Sequence, residues 1–229
     1  MIGTIVNVAA IIAGSLIGII FNKIIPDRIK QIVFQALGLS TIILGIMLGI
    51  KTQNPLILIF SLVIGGIIGE MFDIEKKLEE LGSFVKKKVK SKEAKFVEGF
   101  VTSSLVFCVG ALAIVGSIED GINNDQTLLY TKSMLDGFAS IAFSSAMGIG
   151  VIFSAIPILL YQGGITLLSK VAENYLSEAA ITEMSAAGGL LIIGIGINIL
   201  EIKKIKVSNM LPAILVALLL SRVHVIKVG

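Results

Sequence analysis

Apolar residues in this chain fall in long runs separated by short polar stretches, and the runs have the length of membrane crossings. Six of them lie at about 2–21, 32–50, 55–72, 99–117, 184–201 and 208–223. Each approaches the roughly 20 apolar residues that a helix needs to cross the hydrocarbon core. A seventh element, Lys132 to Gln162 (KSMLDGFASIAFSSAMGIGVIFSAIPILLYQ), is too long for one span. Gly148 and Gly150 lie near its middle and Pro157 further on. The pattern predicts either one long, tilted, proline-kinked helix or an element that is broken, re-entrant or crosses twice, as in transporters that line cavities with irregular backbone. The expected fold class is all-α, a polytopic transmembrane helix bundle of about seven membrane segments forming a single integral membrane domain over 1–229.

Within 132–162 the polar atoms are sorted. On a helical wheel Lys132, Ser133, Asp136, Gly137, Ser140, Ser144 and Gly148 share about half the circumference, while Met134, Leu135, Phe138, Ile141 and Ala142 take the other half. A helix surrounded by lipid has no reason to segregate them. Polar groups at membrane depth face other helices or a water-filled cavity, and ionisable ones there are functional candidates. Lys132 and Asp136, four apart, share a face and can pair. Two readings follow: Lys132 snorkels to the interface and satisfies Asp136, or Asp136 is a cation- or proton-binding carboxylate whose charge state Lys132 sets. Asn7, Gln162 and Asn198 are further polar candidates for the same path, each equally readable as interhelical glue. The substrate or ion path is therefore expected at Lys132, Asp136, Ser140, Ser144, Asn7, Gln162 and Asn198.

Charge placement orients the chain. The stretch 73–98 carries Lys76, Lys77, Lys86, Lys87, Lys88, Lys90, Lys92 and Lys95, with Ile74, Leu78, Leu81, Phe84 and Val85 on one side of an amphipathic helix. Positive loops stay in the cytoplasm, so this loop is expected inside, lying on anionic lipid, or recruiting a soluble partner. The loop with Lys23, Arg28 and Lys30 then also falls inside. The N-terminus and the acidic Glu119–Asp125 loop fall outside. Lys203, Lys204 and Lys206 come inside only if 132–162 turns back; a single crossing puts them outside. Interleaved acids in 73–98 cancel much of its field, which argues against nucleic acid.

A weak internal repeat favours the turning-back reading. Gln35–Ile50 aligns without gaps on Ser185–Leu200, matching at Ala36, Gly38, Ile42 and Ile43, and each segment precedes a helix opened by Asn54-Pro55 or by Asn209 to Pro212. Gly14/Gly18, Gly45/Gly49 and Gly65/Gly69 keep the four-residue spacing that lets helices approach closely. That is ordinary packing or, through one exposed pair, a homo-oligomer contact.

Composition supports the membrane class. Of 229 residues, 55% are hydrophobic and 15% charged, with a mean hydropathy of +0.97, far from soluble averages. The one cysteine, Cys108, permits neither an internal disulfide nor a CxxC metal site. The N-terminal run MIGTIVNVAA has no basic n-region and reads as a first membrane helix rather than a removable signal. No phosphate-binding loop, HExxH or GxSxG motif occurs, so no cofactor or metal is expected and the chain is not expected to be an enzyme.

The runs GGIIGE (65–70), EGFVTSSLVFCVGALAIVG (98–116), LYTKSMLDG (129–137), GVIFSAIPILLYQG (150–163) and NMLPA (209–213) resemble the YdfK/YqgA family of bacterial multi-pass membrane proteins, a domain of unknown function. The resemblance covers essentially the whole chain. It implies a bacterial inner-membrane protein of about seven helices and carries over no catalytic or binding residues. The residues themselves point to a gradient-driven transporter or channel-like protein for a small solute or ion. The alternatives are a structural or regulatory subunit acting through 73–98, and a membrane-embedded enzyme, for which no nucleophile or metal cluster is visible.

Overall fold

A computed structural model describes residues 1–24, 26–108, 111–169 and 177–222. These are helical, with no strand among them. The α-helices are α1 (Ile2–Ile24), α2 (Asp27–Gly49), α3 (Pro55–Phe72), α4 (Ile74–Lys88), α5 (Phe96–Cys108), α6 (Ala111–Ile122), α7 (Thr127–Met147), α8 (Ala155–Leu167), α9 (Glu178–Ile199) and α10 (Pro212–Arg222), with 3₁₀ segments at Gly148–Ser154 and Val207–Met210.

Local chemistry sets several boundaries. Asn54 caps α3, its side-chain oxygen accepting the Leu56 N–H at 3.1 Å, and Pro55 follows in the first turn, where a missing N–H costs nothing. Ser177 caps α9 in the same way through the Ala180 N–H. The helix over 184–201 thus begins a turn and a half earlier than its apolar run, because the cap and Glu178 suit a helix N-terminus. Pro212 likewise opens α10, leaving Val207–Met210 as a separate 3₁₀ turn within the run expected at 208–223.

Four stretches among the described residues are long and apolar enough to cross a membrane: Ile2–Phe21, Pro55–Phe72, Thr127–Leu167 and Glu178–Ile199. The run expected as one span at 99–117 is a pair of helices, α5 and α6, inclined by 61°. With the shorter apolar helices Gln35–Gly49 and Val207–Arg222, these account for the about seven segments expected. Large apolar side chains cover the outer surfaces, among them Ile5 at 57%, Phe138 at 70% and Leu215 at 62% exposure. Soluble proteins rarely expose apolar surface on this scale.

The chain forms two compact units. The first contains Met1–Leu37, Leu78–Cys108 and the chain from Leu112 through α8; the second contains Gly38–Lys77 and the chain from α9 onward. In the first unit α1 and α7 run parallel: a Cβ on Gly3 meets Leu129, one on Gly14 meets Gly137 and Ser140, and one on Gly18 meets Ile141 and Ser144, so contacts advance together along both helices. Phe96, Phe107, Leu129, Met147 and Ile158 form its apolar core. α7 ends at Gly148, whose φ of +81° is in the left-handed region that glycine tolerates. Gly150 then packs so closely on the Phe96 backbone that a Cβ would lie 2.1 Å from its carbonyl oxygen.

Beyond this break the chain turns back. Asn7 hydrogen-bonds both Asp136 on α7 and Gln162 on α8, two positions that a straight helix rising 1.5 Å per residue would hold about 39 Å apart. Gly163 lies beside Met1, and Leu129 beside Gly3, so α8 returns toward the end where α7 began. The element 132–162 is a helical hairpin, and the single kinked helix is set aside.

In the second unit, α2 from Gly38 packs antiparallel on α9. A Cβ on Gly38 meets Leu200 and the Gly196 carbonyl, while one on Gly45 meets the Gly189 carbonyl at 2.5 Å. The two segments related by the sequence repeat are thus each other's neighbours. α3 and α10 also run antiparallel, with Gly65 against Ala213 and Gly69 against Asn209. All three GxxxG pairs have packing roles within the chain: Gly14 and Gly18 against α7, Gly45 and Gly49 against α9, Gly65 against α10 and Gly69 against the 3₁₀ segment before it.

Lys203, Lys204 and Lys206 follow α9 at the end of this unit where α3 finishes and α4 starts. Lys206 bonds Glu70 at 2.5 Å, and Lys204 lies 3.9 Å from Glu75. These lysines therefore sit at the end from which the lysine-rich stretch departs, as the turning-back reading requires.

Candidate functional site

The polar half of α7 faces inward. Lys132, Ser133, Asp136, Ser140 and Ser144 are buried, whereas Met134, Leu135 and Phe138 on the opposite half are exposed. The sorting read from the helical wheel is the sorting between core and outer surface. Close approach of α1 makes it so: Gly14 and Gly18 have no side chains to hold α7 away.

Four of the expected residues meet at one point. Lys132 Nζ bonds Asp136 Oδ2, one turn apart on α7. Asn7 Nδ2, from α1, donates to the same Oδ2 at 3.0 Å and to Gln162 Oε1 of α8 at 3.1 Å. Lys132 is 5% exposed, Asp136 8%, and Asn7 and Gln162 are fully buried. The snorkelling reading of Lys132 is thus corrected: its ammonium points into the unit. A buried charge is tolerated when paired and hydrogen-bonded, and the lysine, the carboxylate and two amides supply that pairing.

The cluster still has hydrogen-bonding capacity to offer. Among the described residues, Asn7 Oδ1, Gln162 Nε2, Thr4 Oγ1, Ser15 Oγ, Ser140 Oγ and Ser144 Oγ are buried without a partner. These six belong to α1, α7 and α8; Ser185 Oγ, on α9 in the second unit, is likewise buried without a partner. Ser140 and Ser144 continue from Asp136 at one-turn intervals, opposite Gly14 and Gly18. The other buried serines of this unit behave differently: Ser103 bonds the Gly99 carbonyl, Ser117 that of Ala113 and Ser133 that of Leu129. Such back-bonding satisfies a hydroxyl within its own helix. At the end of α8 nearest Met1, a cleft of about 310 Å³ is lined by Met1, Asp120, Gly121, Thr166, Leu168 and Ser169.

Asn198 does not join the cluster. It lies in the second unit and clamps the turn after α9, donating to the Ile205 carbonyl at 2.8 Å and accepting the Ile205 N–H at 2.7 Å.

Two carboxylates passed over in the sequence hold structural positions. Glu183 is 3% exposed and accepts from Thr52 Oγ1 at 2.6 Å and from the N–H groups of Gln53 and Asn54 at 2.7 and 3.2 Å. It ties the start of α9 to the turn before α3. A lone acid one residue ahead of an apolar run was the signal. Glu93 accepts the Ile149 N–H at 2.7 Å and so fastens the break between α7 and α8; it sits in a charged loop where nothing sets it apart. No group of three or more His, Cys, Asp or Glu able to hold a metal occurs among the described residues.

The family described as "Protein of unknown function (DUF554)" matches residues 2–222. The chain is 40% identical over 222 residues to "Uncharacterized membrane protein YdfK" of Bacillus subtilis, covering 94% of this chain and 93% of that protein. It is 30% identical over 228 residues to "Uncharacterized protein YqgA" of Escherichia coli, covering 96% of each. No solved structure matches.

Proposed function

The chain belongs to the DUF554 family of membrane proteins, and from that premise we propose that it is a multi-pass protein of the bacterial inner membrane that moves a small solute or ion down a gradient along the polar seam of α1, α7 and α8. The observation that carries this reading is the buried cluster of Asn7, Lys132, Asp136 and Gln162, which keeps Asn7 Oδ1 and Gln162 Nε2 without partners, with the partnerless hydroxyls of Thr4, Ser15, Ser140 and Ser144 on the same helices α1 and α7. Polar groups buried among apolar helices are costly when unsatisfied. A seam that keeps several of them is suited to a polar guest and poorly suited to mere packing. The hairpin of α7 and α8 and the antiparallel repeat of the second unit are features that secondary transporters share.

Orientation follows the lysines. The 73–98 stretch is cytoplasmic and rests on anionic lipid through exposed Leu81 and Phe84, with its lysines reaching the headgroups. The N-terminus is then outside.

A thermal-shift screen of the purified protein in detergent against ions, amino acids, organic acids and sugars tests the reading, followed by flux of any stabilising compound in liposomes. A ligand that binds only the folded state adds about 2.7 kcal/mol at a hundredfold excess over its dissociation constant. Stabilisation and flux that both vanish in Asp136→Asn support the seam. Flux that survives Asp136→Asn and Asn7→Ala refutes it as the path.

A further inference from the structure

We infer that the ion handled by this seam is the proton, bound by Asp136, with Lys132 as a built-in counter-ion and Asn7 as the group that accommodates both states of the carboxyl. The inference rests on the transport reading above and names the ion it concerns.

The chemistry of the four side chains selects among ions. A metal cation needs a shell of oxygen ligands, but the ammonium of Lys132 already holds Asp136 Oδ2 and would repel a second cation there. An anion drawn to Lys132 would have to displace a carboxylate tethered one turn away on the same helix. A proton needs neither ligand shell nor space. When one adds to Asp136, the carboxylate becomes a neutral carboxylic acid, with no other bond broken and no electron transferred. Lys132 keeps its own protons and its charge, and its ion pair weakens to a hydrogen bond with a neutral acid, which frees it to seek a second acceptor.

Asn7 is built for both states. In the structure its Nδ2 donates to the carboxylate, and its Oδ1 is buried without a partner among the described residues. An amide supplies donors on one atom and an acceptor on the other, so Oδ1 can accept from the acid O–H or from the released ammonium once the ion pair opens. Ser140 Oγ, one turn further along α7, is a second partnerless acceptor. Ser144 and Ser15 extend the hydroxyls along the seam, and Thr4 lies on α1 one turn nearer Met1. Hydroxyls both donate and accept, as a proton relay requires.

Few other titratable groups surround the acid. α1 and α8 present the amides of Asn7 and Gln162, and α7 presents Lys132. Cys108 on α5 and Tyr161 on α8 are further titratable side chains of this unit.

Infrared difference spectroscopy of the full chain in liposomes, with pH stepped at zero sodium and then at high sodium, tests the assignment. The expected result is a carboxylic-acid C=O band that grows as pH falls, shifts in heavy water, is lost in Asp136→Asn, and ignores sodium. Asp136→Glu should keep an acid band at an altered frequency, which guards against a variant that fails to fold. Lys132→Met should move the band's midpoint to higher pH, because the carboxylate loses its cation. A wild-type spectrum with no titrating acid band sensitive to Asp136, or one suppressed by sodium, overturns the inference. The readout needs no solute. A titrating band without any flux removes transport and keeps the proton site, whereas flux without the band keeps transport and removes the proton.

Discussion

Replacing Lys132 by Met tests whether the central pair is held away from water. The substitution retains a long apolar stem but removes the ammonium, leaving Asp136 with the Asn7 amide alone. The side chains of Lys132 and Asp136 are 6% and 12% exposed, so water cannot replace the lost partner. Breaking a buried pair from one side costs about 3–5 kcal/mol, because an uncompensated charge stays behind. Removing both charges is different. In Lys132→Met with Asp136→Leu no charge is stranded, and such replacements are often neutral or stabilising. The double variant should therefore recover most of what either single variant loses, while any transport stays absent. Equilibrium unfolding in mixed micelles, followed by far-ultraviolet circular dichroism, provides the four stabilities of the cycle. If Lys132→Met costs less than about 1 kcal/mol, the range of exposed pairs, at a pH above the variant's own acid-band midpoint, where Asp136 stays ionised, the pair is hydrated and the argument for a dry, charged seam fails.

Other substitutions probe separate links. Gly69→Ala places a Cβ 1.8 Å from the Asn209 carbonyl oxygen, so α3 and the 3₁₀ segment Val207–Met210 must part; a loss of about 1–3 kcal/mol is expected. Gly164→Ala has nothing within 4 Å and should be neutral or stabilising by up to about 1 kcal/mol, as the same unfolding assay would show. Asn198→Ala loses both bonds to Ile205 and should cost about 1–3 kcal/mol while leaving Asp136-dependent ligand binding intact in the thermal-shift assay. Glu183→Ala strands the Thr52 hydroxyl hydrogen and the Gln53 N–H, leaving the Asn54 N–H only Thr52 Oγ1, and should destabilise more than Glu183→Gln, which keeps an acceptor. The bond to Glu70 raises the Lys206 pKa above its ordinary 10.5. A raised pKa means stability fully present below the unfolded value and lost as pH climbs through the folded one, so an alkaline loss above about 10.5 should shrink in Lys206→Met and with added salt.

Helix type, the membrane-length runs and the inward face of α7 were legible in the sequence, because each depends on neighbours within a few turns, whereas near Gly148 a kink and a break both stayed open. Periodicity of 3.6 sorts polar from apolar faces whatever the partner helix is. The caps at Asn54 and Ser177 are equally local. What the sequence could not decide was which polar residues meet. Asn7 and Gln162 lie far apart in the chain, and only the return of α8 brings Gln162 to the amide that Asn7 also turns to Asp136. Asn198, with the same composition cue as Asn7, instead closes a turn with Ile205. The direction of 132–162 was likewise left between two readings, since charge counts differ too little between topologies; contacts from Asn7 and Met1 resolved it. Local patterns are fixed by short-range sterics and solvation, whereas the pairing of distant helices depends on whether their small residues, here Gly14 and Gly18, fit a particular backbone. That fit exists only in three dimensions.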